Sequence, residues 1–151
     1  MSALELKVPP LALVVVFAVL MWLISGDERS PALSLHVGIA FMCWIAGIAV
    51  ILAGMLAFRR AKTTVNPFTP EAATTMVDSG VYRFSRNPMY LGFLLALIGW
   101  AAYLSHLLAF ALLPLFVLYM NRFQIEPEER ALASKFGGQF HAYAASVRRW
   151  V

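Results

Sequence analysis

Apolar residues come in long uncharged runs along this chain, and short segments between the runs carry nearly all the charge. Residues 8–24 form a run of 17, and residues 30–58 a run of 29, without Asp, Glu, Lys or Arg. At about 1.5 Å per residue, helices of these lengths suffice to cross a hydrocarbon layer of about 30 Å, with some tilt or local thinning. The pattern predicts membrane-spanning helices over residues 8–24 and 33–58.

A third uncharged run covers residues 87–121 and is 35 residues long. As one helix it would extend roughly 50 Å, well beyond the thickness of a bilayer core. We therefore predict a tight hairpin of two short helices, over residues 88–104 and 106–122, with a kink at Pro114. The predicted fold class is an all-α integral membrane protein, one domain over residues 1–151 with about four transmembrane helices.

Basic residues mark one side of this predicted membrane domain. Ten of the 12 Lys and Arg residues lie in residues 59–86 or from Arg122 onward. With four spans these segments share a side, which the positive-inside rule makes cytoplasmic, as in the inner membrane of a bacterium. Both termini are then cytoplasmic. We expect a structured loop over residues 59–87 and a helical tail over residues 126–151, broken at Gly137 and Gly138.

Composition excludes several classes of function. The chain is 61% hydrophobic and 13% charged, and its mean hydropathy is +0.74, which does not suit a water-soluble globule. The net charge of +4 comes from residues that flank apolar runs, so no nucleic-acid partner is expected. Cys43 is the only cysteine and cannot form an intramolecular disulfide. No His lies at metal-ligand spacing from a carboxylate or thiol, so we expect no metal.

Two clusters could carry chemistry. Around the start of the third apolar run, Tyr82, Arg86 and Asn87 combine an aromatic donor, a cation and the free N–H groups of a first helical turn. Such residues could hold a polar ligand, but they are equally typical of membrane interfaces.

The second cluster is a set of three glutamates that follows the predicted hairpin. Glu126, Glu128 and Glu129 could face a cationic ligand, or they could only stabilise a helix N-terminus, with Glu126 pairing to Arg130. On a helix that begins near Pro127, Glu128 and Glu129 point about 100° apart, so only one can face the cleft beneath the hairpin.

The order of these motifs along the chain is more specific than any one of them. The motifs are, in order, residues 74–82, residues 86–92, an apolar hairpin, Glu128-Glu129 and Phe136-Gly137. This pattern resembles the isoprenylcysteine carboxyl methyltransferase family. That family is similar in turn to the phospholipid N-methyltransferases, and the resemblance covers roughly residues 60–150. It implies methyl transfer from S-adenosylmethionine to a lipophilic carboxylate, amine or thiol at the cytoplasmic membrane face.

The resemblance also implies a set of site residues. Eukaryotic members of the family carry His at the position of Asn87, and an Arg that acts on the substrate carboxylate at the position of Gln124. Here Arg86 or Arg122 would replace that arginine. The implied acceptor-side residues are Arg86, Arg122 and Gln124, and the implied cofactor-binding residues are Thr74, Thr75, Met76, Val77, Tyr82, Asn87, Pro88, Met89, Tyr90 and Glu128.

Three other functions remain open from the sequence. A small four-helix exporter would fit the length, but proton coupling usually needs an ionisable residue within a span, and the predicted spans up to residue 121 hold no Asp, Glu, Lys or Arg. A non-catalytic protein that binds lipid or a partner would share the fold. An NADPH-dependent sterol reductase has a similar hairpin and tail, but Glu128 and Glu129 would repel the phosphates. The bilayer and a lipophilic substrate are the expected partners.

Overall fold

The computed structural model describes residues 5–26, 34–63 and 74–151, and within these ranges the chain is helical without a β-strand. Pro67 and Pro70, which contribute to the predicted loop, lie outside the described residues. The elements in chain order are α1 (Pro10–Ser25), α2 (Ser34–Arg60), a 3₁₀ turn (Gly80–Arg83), α3 (Pro88–Leu104), α4 (Leu107–Tyr119), a π-helical segment (Met120–Ile125), α5 (Glu126–Phe136) and α6 (Gly138–Ser146).

Two continuous helices are long and apolar enough to cross a membrane, Leu35–Arg60 and Leu107–Phe136, whereas α1 and α3 are apolar but shorter. Large apolar side chains project outward from α1, α2 and α4. Leu11 is 62% exposed, Met42 70% and Leu107 84%. A contiguous apolar surface of this kind is unfavourable in water and suits the hydrocarbon of a bilayer. The predicted all-helical fold is therefore confirmed, with two helices of spanning length.

The closest helix packing joins α2 to α3. A Cβ atom placed on Gly92 would lie 2.7 Å from the carbonyl oxygen of Gly47 and 2.5 Å from Cγ1 of Ile51. Only glycine permits so close an approach of two helix backbones. One turn further on, the indole of Trp44 donates a hydrogen bond to the carbonyl oxygen of Ala96 at 3.1 Å. These contacts fix α3, whose first turn carries several of the predicted site residues.

Helix α1 packs on the hairpin that α3 and α4 form. Leu13, Phe17 and Met21 repeat at i, i+4 and are buried, and the Phe17 ring meets that of Phe116 edge to face at 5.4 Å. The hairpin turns at Ser105, which adopts the left-handed conformation with φ of 53°. This turn lies where the sequence predicts it.

The junction between the hairpin's second helix, α4, and the tail helix α5 differs from the prediction. Pro114 lies inside α4, and the departure from α-helical geometry comes later, in the π-helical segment that joins α4 to α5 without a break. Pro127 has no N–H to donate to the carbonyl of Phe123, four residues earlier. The N–H of Leu6 donates to that oxygen instead, at 3.0 Å. The tail therefore begins as a continuation of the fourth apolar helix.

The last five residues also differ from the predicted helical tail. Helix α6 follows Gly137, whose φ is 51°, and it ends at Ser146 because Val147 is extended, with φ of −125° and ψ of 134°. Residues 147–151, called here the C-terminal strap, are not helical and pass the start of α3. The main-chain N–H of Arg86 donates to the carbonyl of Arg148 at 3.0 Å.

Candidate functional site

Two side chains donate hydrogen bonds to one carboxylate oxygen of a third, and the three side chains come from three different elements. The Tyr90 hydroxyl, in the first turn of α3, donates to Oε1 of Glu128 at 2.5 Å. The Gln124 amide, in the π-helical segment, donates to the same oxygen at 2.5 Å and lies 3.4 Å from the Tyr90 hydroxyl. We call Tyr90, Gln124 and Glu128 the carboxylate triad. It lies where the hairpin's first helix meets the first turn of α5.

The charge of the triad has no counterion within the described residues. Glu128 is partly buried, which raises the pKa of its carboxyl to about 7, and both of its hydrogen-bond donors are neutral. The ion pairs of the described residues involve Glu5, Glu126 and Glu129, and none includes Glu128. A partly buried carboxylate in this setting gains most from a cationic ligand, because neutral donors leave its net charge uncompensated.

Tyr82 lies within electrostatic range of the triad. Its side chain is 6% exposed and packs edge to face on Phe58 at 5.4 Å. Burial raises the pKa of the Tyr82 phenol well above its usual value, and the neighbouring Tyr143 and Glu128 raise it further. The phenol therefore stays neutral at physiological pH.

Tyr143 on α6 connects Tyr82 to an open groove. Its hydroxyl donates to the carbonyl oxygen of Tyr82 at 2.8 Å. Burial raises the pKa of the Tyr143 phenol, while Arg86 opposes this effect and Asp78 adds to it. The groove measures about 510 Å³ and lies between the segment before α3 and helix α6. Its lining combines apolar, polar and oppositely charged side chains: Met76, Asp78, Arg83, Gln139, Ala142, Tyr143, Ser146 and Val147.

Glu129 lies on a different side of α5 from Glu128. Its carboxylate pairs with Arg86 at 3.2 Å and with Arg149 at 2.7 Å. The expected separation of the two glutamates therefore appears as two sets of partners, the triad for Glu128 and two guanidinium groups for Glu129. Glu129 is thus more than a helix-capping residue.

The predicted pair of Glu126 with Arg130 is wrong. Arg130 instead pairs with Glu5 at 2.8 Å, and Glu126 lies 3.4 Å from Arg122, one turn earlier on the same helix. Sequence spacing permits both partners of Glu126, at i−4 and i+4. Glu5, which lies in the segment before α1 and is 8% exposed, pairs with Arg130, so the Glu126–Arg130 pair does not form.

The predicted acceptor-side residues separate into different surroundings. Gln124 is buried, 3% exposed, within the triad. Arg86 lies at the start of α3, where it pairs with Glu129. Arg122 has a side chain 55% exposed and lies between Glu5 and Glu126, and no contact joins it to the triad.

Among the predicted cofactor-binding residues, the structure brings Tyr90 and Glu128 into contact and places Tyr82 within electrostatic range of them. Val77 is buried against Tyr82, and Met76 lines the groove. Five predicted positions remain, and four of them, apart from Asn87, have other surroundings. Thr74 and Thr75 are exposed, Pro88 is buried at the start of α3, and the side chain of Met89 lies against Gly54 of α2.

Asn87 contacts the C-terminal strap. Its side-chain amide donates to the carbonyl of Arg149 in the C-terminal strap at 2.9 Å. The contact of Gln124 with Glu128 was not predicted from the sequence. The signal was present as an i, i+4 spacing, but ending the fourth helix at residue 122 hid it. For Asp78 and Gln139 in the groove, no sequence pattern gave a signal.

Comparison with known proteins agrees with the predicted class. An uncharacterized protein of Haemophilus influenzae is 44% identical over 63 residues, which are 42% of this chain and the whole of that protein. No solved structure matches the chain. The phospholipid methyltransferase family model, which also covers membrane methyltransferases similar to the isoprenylcysteine enzymes, matches residues 35–139. The match includes the triad and spans more than half of the sequence, and the chain belongs to the phospholipid methyltransferase family.

Proposed function

We propose that this protein transfers a methyl group from S-adenosylmethionine to a lipophilic acceptor at the cytoplasmic face of a membrane. Family membership implies an S-adenosylmethionine-dependent methyltransferase. The observation that carries the proposal within the structure is the Glu128 carboxylate, which neutral donors hold and which no cation of the described residues neutralises. A cofactor with a sulfonium and an ammonium group supplies the missing positive charge.

The residues around the triad fit the rest of the cofactor. Glu128 would hold its cationic end, and Tyr82 and Tyr90 would supply aromatic surface beside the sulfonium. The groove would take the nucleoside, with the Asp78 carboxylate on the ribose hydroxyls and the Gln139 amide on the purine edge. The hydrogen bond from Tyr143 to the Tyr82 carbonyl connects this groove to the segment that carries Tyr82. We keep Met76, which lines the groove, and Val77, which packs against Tyr82, as part of the cofactor site.

The chain itself has a limited chemical task in such a reaction. Bound S-adenosylmethionine supplies an electrophilic methyl group, so no covalent intermediate with the protein is needed. Tyr90 and Gln124 hold the Glu128 carboxylate in one orientation, which fixes the cationic end of the ligand. The neutral Tyr82 phenol and the apolar residues around it exclude water from the same region.

The acceptor would arrive from the bilayer. In the proposed topology, four helices cross the membrane, both termini are cytoplasmic, and the triad lies at the cytoplasmic interface. There a polar cofactor from solution and a lipophilic acceptor from the membrane can both reach the site. Arg122 is more than half exposed at this level and is our candidate for contact with an anionic acceptor, while Gln124 and Arg86 act through Glu128 and Glu129.

Two measurements test this proposal. Calorimetry of the purified protein in detergent should show binding of S-adenosylmethionine and of S-adenosylhomocysteine, and binding should raise the melting temperature. Membranes that contain the protein, incubated with methyl-labelled S-adenosylmethionine, should transfer label to the lipid fraction. No heat and no thermal stabilisation at millimolar ligand would overturn the proposal. Binding without transfer to lipid or protein would favour a non-catalytic binding protein.

A further inference from the structure

We propose that Arg149 is a positioning residue for cofactor binding. In this inference, the C-terminal strap holds the first turns of α3 and α5 at the separation that lets Tyr90 reach Glu128. The inference rests on the proposed function and adds a residue outside the part of the chain that matches the family model, which ends at residue 139.

On the α3 side, the strap is attached through two successive carbonyl groups. The main-chain N–H of Arg86 donates to the carbonyl of Arg148 at 3.0 Å, and the Asn87 side chain donates to that of Arg149 at 2.9 Å. Asn87 directly precedes α3, three residues before Tyr90. The strap therefore meets α3 at the turn that carries the hydroxyl of the triad.

On the α5 side, the attachment is a two-pronged ion pair. Nε of Arg149 donates to one oxygen of Glu129 at 3.2 Å, and a terminal nitrogen donates to the other at 2.7 Å. Such a fork fixes orientation as well as distance, which a single ammonium contact would not do. Glu129 is the neighbour of Glu128, so the strap meets α5 beside the carboxylate of the triad.

Direct packing between α3 and α5 is slight within the described residues, whereas α3 packs extensively on α2. The strap is therefore a principal connection between the two helix starts, with help from the Arg86–Glu129 pair. At its far end, the Trp150 indole donates to the Asn121 side chain at 2.9 Å, which anchors the strap to the π-helical segment next to Gln124. All three elements of the triad are thus linked through residues 148–150.

The test compares two neighbouring arginines. Arg149→Ala removes the fork, while Arg148→Ala removes the same charge from an exposed side chain and leaves the strap's carbonyl in place. Calorimetry with S-adenosylhomocysteine should show a five- to tenfold loss of affinity for Arg149→Ala and less than about twofold for Arg148→Ala. Arg149→Lys keeps the charge without the fork and should fall between them.

A double mutant separates positioning from general stabilisation. If Arg149 acts through the triad, it has no hydroxyl to position in a Tyr90→Phe background. The loss of affinity caused by Arg149→Ala should then shrink to less than about twofold. An equal loss in both backgrounds, or unchanged affinity of Arg149→Ala, would overturn the inference. If Arg149→Ala does not fold, Arg149→Lys gives the same comparison. A parent protein that binds neither ligand would overturn the proposed function as well, so the parent titration distinguishes the two failures.

Discussion

At the scale of single residues, the charge of Glu128 is the feature on which the proposed site depends. Glu128→Gln keeps the volume and one acceptor oxygen but removes the charge. A charge-assisted contact of about 1.5–3 kcal/mol should weaken, so affinity for S-adenosylmethionine should fall by roughly tenfold or more. Calorimetry in a detergent that preserves the parent's melting temperature measures this loss.

Glu126→Gln is the matched control for this change. It removes the same charge from the same helical turn, but Glu126 has a side chain 38% exposed and lies with Arg122 at 3.4 Å and, at the longer distance of 3.9 Å, with Arg149. Surface pairs of this kind contribute little, so affinity should stay within about twofold of the parent. Equal losses in Glu126→Gln and Glu128→Gln would mean that the cofactor responds only to the general negative potential of this region.

A second residue-scale prediction separates the groove from the exposed threonines before it. Asp78→Ala should lower affinity about three- to tenfold if Asp78 accepts hydrogen bonds from the ribose. Thr75→Ala, at an exposed position outside the groove lining, should leave affinity nearly unchanged. Adenosine should compete less well with S-adenosylmethionine for binding to Asp78→Ala, and equally well for binding to Thr75→Ala and to the parent. The reverse order of effects would place the nucleoside on the exposed threonine segment instead.

The sequence predicted part of this site and could not have predicted the rest. Tyr90 and Glu128 followed from the resemblance, and the structure joins them across 38 positions. The partner of Asn87 lies 62 positions away in the C-terminal strap, and no local spacing encodes such a contact. Gln124 was assigned to the acceptor because the resemblance places an acceptor arginine at its position, whereas in the structure its amide donates to Glu128 on the same continuous helix.

At the scale of elements, the contact between α2 and α3 depends on the absence of side chains at two glycines. Gly92→Ala would bring a methyl group within 2.7 Å of the Gly47 carbonyl oxygen, so the helices must separate. We expect a loss of about 1–3 kcal/mol, seen as a lower melting temperature in detergent.

Gly38→Ala is the control, because a Cβ atom there meets nothing within 4 Å. It should be neutral or slightly stabilising, since alanine favours helix over glycine by about 0.5–1 kcal/mol. A similar melting temperature for the parent and Gly92→Ala would show that α2 and α3 tolerate a wider separation than the structure has.

The junction between α4 and α5 shows where reasoning from sequence pattern fails for an element. Pro127 was taken as the start of a separate tail because proline suits a first helical turn. In the structure it is such a first-turn residue, but a π-helical segment precedes it without interruption. The carbonyl that it leaves free is satisfied by Leu6, a partner more than a hundred residues earlier in the chain.

At the scale of the whole molecule, the hydrophobic pattern was enough to predict the class of fold. Uncharged runs predicted α2 and the hairpin of α3 and α4, because apolar length and the cost of unpaired backbone groups in lipid leave few alternatives to helices. The pattern could not predict how the polar ends connect. There the C-terminal strap and residues 5–7 are placed by ion pairs and single hydrogen bonds between distant segments.

That network of polar contacts also bears on topology. It links Glu5, Arg86, Arg122 and Arg149 through shared carboxylates and hydrogen bonds, so these segments must lie on the same side of a membrane. In the proposed topology this is the cytoplasmic side, which the positive-inside rule favours. The opposite side then contains the turn between α3 and α4, where Leu107 is 84% exposed.

Cysteine labelling of intact cells tests this arrangement. In a Cys43→Ser background, a membrane-impermeant maleimide should label Leu107→Cys from outside. Ser79→Cys and Ser134→Cys, both at exposed positions, should react only after the membrane is opened. Labelling of Ser134→Cys from outside would contradict the proposed orientation. Labelling of Leu107→Cys only in opened cells would show instead that α3 does not cross the bilayer, because its far end would then lie on the cytoplasmic side with the triad.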